Sequence, residues 1–521
     1  MRYCRQYRSN AQELQSSLPE RIKVNSDVSY IYTIGLLGLY LGLPALRYYS
    51  SVSFFRLLWC SMIRSLIPLT ALLISDALVL LGHGLLLTLL PVSASLLGFS
   101  DFQVGLTGSS YFVGFVAGCL ATPFVLKRVG HIRTFAVLAS AYTALILFFA
   151  WSQSFIGWMF LRFMIGAMIA GIYMIIESWL NERADSTNRG TILSFYAMLN
   201  LAMITLAQQL LNLGNVNTLL LFALAGIFLS LSVIPVSLTL ALAPTPIKKV
   251  SVDFAKVWRH SHIGIIGSIF AGLITGSFWA LAPIYAKDSG FTTFQLANFM
   301  SAVVLGGALF QIPLGRFSDR FDRRIILIFI ALGGAIISFL TFIASFKGFY
   351  AGTASTGLAF MWGAFSMTMY AICLAHANDN ADSADFVDIG SAMLITYGLS
   401  SAMGAPIASA FMSLFGHQFL FIFMGASFTL FTAILIIRRQ SHVLPVMTDD
   451  NEEFQAIAGM TTPEAYNLDP RAEEINETVP ENELKREWAD VDDDYHDIIE
   501  SADTKAKETI PAEALDSKKR P

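Results

Sequence analysis

Charged residues and cysteines are both scarce in this sequence, and each shortage argues against a class of protein. Only 14% of the 521 residues are charged, whereas 55% are hydrophobic and the mean hydropathy is +0.59. A soluble protein of this length carries more charge on its surface, so the composition is typical of a polytopic membrane protein. The cysteines lie far apart, which argues against a disulfide framework or a cysteine metal site. They are Cys4, Cys60, Cys119 and Cys373.

Motifs of catalysis are also missing from the chain. We find no glycine-rich nucleotide-binding loop, no cluster of metal ligands and no nucleophile paired with a base. The start of the chain is polar and basic, and it lacks the apolar core of a signal peptide. We therefore expect no enzyme activity, no catalytic residue, no metal, no cofactor and no nucleic-acid partner.

Twelve apolar runs, each long enough to cross a bilayer as a helix, are separated by short polar breaks. They occupy residues 66–92, 104–126, 134–152, 155–178, 191–213, 217–241, 263–286, 293–314, 325–346, 349–373, 390–412 and 419–437. Connections on one side carry 15 Lys and Arg residues, while those on the other side carry only Lys287 and Lys347. The positive-inside rule predicts that the first side is cytoplasmic, together with the Met62 end and the C-terminal tail.

These runs predict five segments along the chain. They are an N-terminal extension (1–61), a six-helix bundle (62–242), a cytoplasmic linker (243–262), a second six-helix bundle (263–439) and a tail (440–521). The apolar run 28–46 in the extension leaves three alternatives open: one more span, an interfacial helix, or an upstream segment outside a functional protein that starts near Met62.

The tail differs sharply from the rest of the chain in charge. Residues 441–521 hold 22 acidic and 8 basic side chains, a net charge of −14, whereas residues 1–440 have a net charge of +10. A segment so polar and acidic buries too little apolar surface to offset the entropy of ordering. We therefore expect an acidic tail that is disordered and not required for folding.

One charged loop recurs in weaker form. Residues 315–324 read GRFSDRFDRR, and a shift of 192 residues places Arg320 on Arg128 and Gly306 on Gly114. Asp319 falls on Lys127 under the same shift, so the first copy has no acidic member. A constant offset between two six-helix halves indicates an internal repeat, which is how many secondary transporters are built.

This loop resembles the signature loop between the second and third helices of each half of major facilitator superfamily transporters, roughly G-x-x-x-D-R-x-G-R-R. Asp322 stands where that pattern has its second Gly. Over residues 64–439 the chain is similar to bacterial permeases of the YcaD type within that superfamily. The segments that carry this likeness, besides the loop, are FQVGLTGSSYFVG (102–114), VLKRVGHIR (125–133) and IIESWLNERADSTNRGTILSFY (175–196).

The resemblance implies an all-α polytopic membrane fold. It consists of twelve transmembrane helices in two six-helix bundles around a central cavity, with alternating access to the two sides of a bacterial inner membrane. The loop residues of the resemblance predict a cytoplasmic gate made of charges. Its members are Arg128, Arg133, Glu177, Gly315, Asp319, Arg320, Arg323 and Arg324. Glu177 is expected to face Arg128 and Arg133. The alternative is that these loops only fix topology.

Charges inside the spans predict a proton site. The interiors of the last six spans contain no Asp, Glu, Lys or Arg, so a coupling group must come from the first half. Asp76 and His83 lie seven residues apart on the first span, nearly on one face. On the fourth span, Arg162-x-x-x-Gly166 followed by Ala170-Gly171 resembles the Arg-Gly motif of superfamily proton antiporters, and Arg162 is the expected partner of Asp76. The alternatives are that Asp76 hydrogen-bonds a neighbouring helix and that Arg162 extends outward to the membrane surface.

Two weaker expectations concern the second half. Trp279 and Trp362 are the candidate residues of the substrate cavity. The acidic residues between the tenth and eleventh spans are expected to be solvated, with pairing to the basic loops as the alternative. They are Asp379, Asp382, Asp385 and Asp388.

The sequence thus favours a permease that exports a small organic solute against proton entry, hence an antiporter. A proton-coupled importer is the near alternative. In a different class, a non-transporting membrane sensor would need an output domain, which the tail does not offer. The expected partners are the solute, protons and the lipid bilayer, and the expected state is a monomer.

Overall fold

Twelve long α-helices make up nearly all of the chain that the computed structural model describes. It describes residues 69–184, 189–216, 218–238, 257–258, 261–346, 352–379, 381, 385–441, 454 and 461–469. These residues belong to one unit, Met1–Ala472, and the second unit, Glu473–Pro521, lies outside the described residues. The helices are α1 Thr70–Leu96, α2 Asp101–Val129, α3 His131–Trp151, α4 Phe155–Arg183, α5 Arg189–Gln209, α6 Leu219–Ser237, α7 His262–Asp288, α8 Thr293–Arg320, α9 Arg323–Ser345, α10 Thr353–Asn378, α11 Phe386–Phe415 and α12 Phe419–Ser441.

All twelve helices are long and apolar enough to cross a membrane, which confirms the predicted fold class. Most extend past the predicted apolar run, as α2 does at both ends. Its 29 residues span about 44 Å at 1.5 Å per residue, whereas the hydrocarbon core of a bilayer is only ~30 Å thick. Apolar run length therefore locates the buried middle of each helix and misses its polar ends.

The offset of 192 residues predicted from the sequence recurs at the start of α2 and α8. The backbone N–H of Gln103 donates to Ser100 Oγ at 3.3 Å, and that of Ser100 donates to Gln103 Oε1 at 2.9 Å. Gln295 and Thr292 repeat both hydrogen bonds with the same two lengths. Each pair is a capping box, which satisfies two backbone donors that the start of a helix leaves unpaired.

Glycines bring the second and fourth helices of each half into close contact. A Cβ added at Gly114 of α2 would overlap the carbonyl oxygen of Phe163 on α4. In the second half, a Cβ at Gly306 of α8 would overlap the carbonyl oxygen of Phe360 on α10 in the same way. Gly114 and Gly306, which the repeat predicts to be equivalent, therefore have the same role: each lets two helix backbones pack closely.

The helices alternate in direction, so the bundle has two distinct ends. The basic end is the one that carries Arg128 and Arg320, where α2 and α8 finish. The other end, which we call the opposite end, carries Ser95 and Lys287. Lys287 Nζ donates to Ser95 Oγ at 2.8 Å and so links α7 to α1. These two residues are themselves 192 positions apart, so this contact joins equivalent points of the two halves.

Further contacts between the halves lie toward the opposite end. Gln209 Nε2, at the end of α5, donates to Ser301 Oγ near the start of α8 at 2.7 Å. Ser109 Oγ, near the start of α2, donates to the carbonyl oxygen of Ala402 on α11 at 2.6 Å. Hydrogen bonds between helices thus close the bundle at this end.

A short part of the tail packs against the bundle, within a tail that is predicted to be disordered as a whole. Phe454 and residues 461–469 are described, and Pro463–Leu468 forms a 3₁₀ helix whose Leu468 is 0% exposed. The average composition of the tail hides this short segment, TTPEAYNLD, whose Tyr466 and Leu468 bury apolar surface. The rest of the tail after Ser441, the extension 1–61 and most of the linker 243–262 lie outside the described residues.

Candidate functional site

Asp76 lies about two turns after the start of α1 and is completely buried in the first half. Neither oxygen of its carboxylate has a hydrogen-bond partner. The predicted alternative, a hydrogen bond from Asp76 to a neighbouring helix, is therefore not made in this conformation. A carboxylate buried inside a membrane bundle is costly unless it carries a proton or meets a cation.

His83 is buried on the same face of α1 and connects three helices. Its Nδ1 lies 2.7 Å from the hydroxyl of Tyr142 on α3, and its Nε2 lies 3.1 Å from the hydroxyl of Tyr111 on α2. A neutral imidazole has one donor and one acceptor nitrogen, so the two hydroxyls take opposite roles. The result is a hydrogen-bonded chain that crosses α3, α1 and α2.

Arg162 continues this chain onto α4. Its side chain points into the bundle, is 4% exposed, and places Cζ 5.9 Å from the centroid of the Tyr111 ring. That distance is within the range of a cation–π interaction, so the outward-pointing alternative does not apply. The predicted pair with Asp76 is not formed, because Asp76 has no hydrogen-bond partner. Arg162 instead reaches His83 through Tyr111.

Tyr111 and Tyr142 were not predicted as site residues from the sequence. A tyrosine within an apolar run is by default a packing residue, and no spacing relates these two positions. Only the fold brings their hydroxyls to the two nitrogens of one histidine. The structure therefore widens the candidate proton site from three residues to five.

Arg323 is the centre of the charged loop at the basic end, with a side chain that is 2% exposed. Its Nη1 lies 3.1 Å from Asp319 Oδ1, which is the ion pair predicted within the loop. Its Nε lies 2.7 and 2.9 Å from the two carboxylate oxygens of Asp379, at the end of α10. The expectation that Asp379 is solvated is therefore wrong, and pairing was the correct alternative. A buried guanidinium needs such close carboxylate partners to offset the loss of water.

The remaining loop residues have simpler roles. Asp322, which stands where the resembling pattern has Gly, caps α9 by accepting a hydrogen bond from the backbone N–H of Arg324 at 2.8 Å. Arg320 is exposed and Arg324 is half-buried. The departure from the pattern thus has a local reason, since Asp is a favoured residue at a helix start.

Glu177, near the end of α4, is completely buried but does not face the predicted arginines. The hydroxyl of Tyr196 donates to its Oε1 at 3.1 Å, and the backbone N–H of Thr462 donates to its Oε2 at 2.9 Å. The hydroxyl of Thr462 donates to that oxygen as well. Arg128 and Arg133 are both exposed. Their pairing with Glu177 is thus corrected, because neutral donors from α5 and the tail hold this carboxylate.

The tail meets α8 at a second point. The backbone N–H of Phe454 donates to Asp319 Oδ2 at 3.0 Å. The ring of Phe454 packs against Gly315, where an added Cβ would overlap it. Two of the predicted gate residues, Gly315 and Asp319, thus bind a residue of the tail.

A third point of contact involves α10 and α11. The hydroxyl of Tyr466 lies 2.6 Å from that of Tyr370 on α10. Its ring packs against Gly390 of α11, and an added Cβ there would again lie too close to the ring. The tail therefore contacts both halves, since Glu177 belongs to the first and these residues belong to the second.

A small pocket lies between α2 and α11, next to the tail. Its wall consists of Phe112, Phe115, Val116, Cys119, Leu394, Ile395, Tyr397, Gly398 and Thr461. Its volume of about 20 Å³ holds about one water molecule. In the part of the chain that the structure describes, no three His, Cys, Asp or Glu side chains are grouped as metal ligands. The pocket is too small for an organic solute while the tail is in place.

Neither predicted cavity tryptophan lines this pocket. Trp362 is buried inside the second half, where its Nε1 donates to Ser338 Oγ at 3.0 Å and its ring stacks on Phe278. Trp279 is 8% exposed and packs edge-to-face on the same phenylalanine. In this conformation both indoles pack on Phe278, and their role in a substrate cavity stays a prediction.

Comparison with known proteins agrees with this architecture. The family described as Major Facilitator Superfamily matches residues 72–387 and 264–459. The MFS-type transporter YcaD of Escherichia coli (strain K12 / DH10B), itself uncharacterised, is 28% identical over 383 residues, which are 72% of this chain and 96% of that protein. YcaD of Escherichia fergusonii has the same identity over 382 residues.

Two solved structures share the fold. The nucleoside transporter NupG superposes with a TM-score of 0.60 at 13% identity, covering 72% of this chain and 99% of NupG. A D-xylose–proton symporter superposes with a TM-score of 0.56 at 16% identity, covering 75% of this chain and 99% of the symporter. Identities this low are evidence for a common fold alone.

Proposed function

The chain belongs to the major facilitator superfamily and is a multi-pass membrane transporter, and we propose that it exports a small organic solute in exchange for protons. The proposed location is a bacterial inner membrane, with the basic end in the cytoplasm. The observation that carries the proposal is the buried Asp76, whose carboxylate has no hydrogen-bond partner. Among the twelve described helices, Glu177 is the one other acidic residue as far from a helix end, and neutral donors already hold it.

Proton coupling follows from what Asp76 can and cannot do in this conformation. An ionised carboxylate at that depth needs a cation, and Arg162 on α4 is buried in the same half. Arg162 now lies over Tyr111, so a shift of α4 relative to α1 would exchange one partner for another. Proton release from Asp76 is then favoured only where Arg162 can approach it, which links protonation to conformation.

The chain of hydroxyls around His83 offers a path for the proton. His83 is hydrogen-bonded at both nitrogens, and an imidazole in that position can accept a proton on one side while it gives one up on the other. Tyr111 then connects this relay to Arg162. We therefore assign His83 to proton movement and Asp76 to coupling.

Alternating access is supported by the difference between the two ends. The opposite end is closed by hydrogen bonds between the halves, such as that from Lys287 to Ser95. At the basic end the segment 461–469 lies between the halves. We propose that the bundle is in the form that opens toward the basic end, which is inward-facing in the predicted orientation.

The solute should be an organic molecule with substantial apolar surface. The pocket walls on α2 and α11 are aliphatic and aromatic, with the ring of Tyr397 among them. Solute sites of this composition bind through apolar contact, and a few polar groups fix orientation. A multiply charged solute would find no charged partner on this wall.

The test begins with ligands that stabilise the purified protein against heat. A ligand at 100 times its Kd stabilises the folded state by about 2.7 kcal/mol, which is readily measured. Each ligand is then loaded into proteoliposomes under an imposed pH gradient. Solute that moves in the direction opposite to proton flow supports the proposal. Solute that moves in the same direction as the protons indicates a proton-coupled importer. Solute movement that ignores the gradient would contradict proton coupling.

A further inference from the structure

The described part of the tail lies against the pocket and against the ends of α4 and α8 at the basic end. Thr461 forms part of the pocket wall, and Thr462 is bonded to Glu177 of α4. Next to them, the 3₁₀ helix Pro463–Leu468 carries Tyr466 to α10 and α11. Eight of the nine residues in 461–469 are buried. A peptide that is buried between two bundles occupies volume that a solute would otherwise cross.

The bundle is shaped to receive this peptide at two glycines. Gly315 and Gly390 each lie under an aromatic ring of the tail, Phe454 and Tyr466 respectively, and a Cβ at either position would overlap or crowd the ring. By contrast, Gly357 of α10 has no atom within 4 Å of its added Cβ. The atoms nearest to the added Cβ at these two positions belong to the tail, so glycine there makes room for the two rings.

Two carboxylates receive the backbone of the tail. Glu177 accepts from the backbone N–H of Thr462, and Asp319 accepts from that of Phe454, at 2.9 and 3.0 Å. Asp319 is also paired with Arg323, and hydrogen bonds to a charged acceptor are roughly twice as strong as neutral ones. Both acceptors are predicted members of the cytoplasmic gate, so the tail occupies the positions where the gate would form.

We propose that Phe454 and residues 461–469 form an autoinhibitory plug, which closes the pocket at the basic end while the opposite end is shut. The plug blocks the cycle at two steps. It excludes solute from the pocket, and it separates α4 from α11, so the halves cannot close on each other at the basic end. The inference rests on the proposed function only in that the pocket is part of the solute route.

Cys119 is a natural reporter of the plug, because its side chain lines the pocket and is 2% exposed. The test uses the full chain with the other cysteines, Cys4, Cys60 and Cys373, replaced by alanine. N-ethylmaleimide labelling of Cys119 is followed by mass in detergent at constant pH. Gly390→Ala should raise the labelling rate at least tenfold, and the matched control Gly357→Ala should leave it within twofold of the parent.

Two substitutions in the tail make the result independent of any folding defect in the bundle. Phe454→Ala and Tyr466→Ala leave the sequences of α1 to α12 unchanged and should also raise Cys119 labelling at least tenfold. If both leave the rate within twofold of the parent, the segment does not close the pocket and the proposal is overturned. Labelling needs no transport, so failure of the transport assays would count against the proposed function and not against the plug.

Discussion

Glu464 should make docking of the plug depend on pH. Its side chain is 8% exposed and accepts a hydrogen bond from Asn467 Nδ2 at 2.9 Å. Burial raises the pKa of Glu464 from 4.5 to about 7, although the bond from Asn467 acts in the other direction. Glu177 is the acidic group on α4 that lies close enough to interact with it.

The direction of the pH dependence follows from the proton affinity of Glu464 in the docked and the released tail. In the docked plug Glu464 binds its proton more tightly than in a released tail, where its ordinary pKa of 4.5 applies. The stabilisation that protonated Glu464 gives to the docked plug is fully present below pH 4.5 and is lost as the pH rises through about 7. The difference in pKa corresponds to about 3 kcal/mol, or a factor on the order of 100 in the docking equilibrium. Alkaline conditions should therefore release the plug.

The assay is again labelling of Cys119, expressed as a ratio. Dividing the rate in Gly390→Ala by the rate in the parent at each pH cancels the titration of the thiol itself. This ratio should fall steeply between pH 5 and pH 8. The ratio should not change with pH when both proteins also carry Glu464→Gln, because glutamine is uncharged at every pH, as protonated Glu464 is. The reasoning would be refuted by a ratio that does not change with pH when Glu464 is intact. It would also be refuted by a ratio that falls equally steeply when both proteins carry Glu464→Gln.

Three further predictions concern stability. Truncation after Ser441 should leave expression and monodispersity in detergent intact, because all twelve helices precede that point; aggregation of the truncated chain alone would contradict this. Gly306→Ala should lower the unfolding free energy by about 1–3 kcal/mol, because the new methyl overlaps a backbone oxygen of α10, while Gly357→Ala should be neutral in the same melting experiment. Asp379→Asn should lower the free energy of unfolding by about 3 kcal/mol, since it leaves the buried Arg323 with one carboxylate fewer. An unchanged melting temperature would show that this ion pair does not stabilise the fold.

The fold was predictable because bilayer thickness sets a strong constraint on sequence. Each apolar run had to be long enough to span the membrane, and the loop charges set the alternation of sides. The repeat was also visible, since Gln103 and Gln295 are equivalent residues that begin α2 and α8 with the same capping box. Helix ends were missed because they lie outside the apolar core.

The site was only partly predictable, because its contacts join residues far apart in the chain. Asp76 and His83 could be placed on one face of α1 by helical period alone. Glu177 was expected to find arginines nearby, yet its partner Thr462 lies 285 residues away, in a tail whose average composition indicates disorder. Composition measured over a long segment cannot reveal a short peptide that fits one specific surface.

The most direct test of proton-coupled transport is to count protons against solute in proteoliposomes, with a ligand found by thermal stabilisation and a pH-sensitive dye inside. Wild type should move protons opposite to the solute, and Asp288→Asn, at the end of α7, should behave like wild type. Asp76→Asn should still exchange solute across the membrane but should no longer move protons or concentrate solute. Proton movement by Asp76→Asn at the wild-type rate would contradict the account.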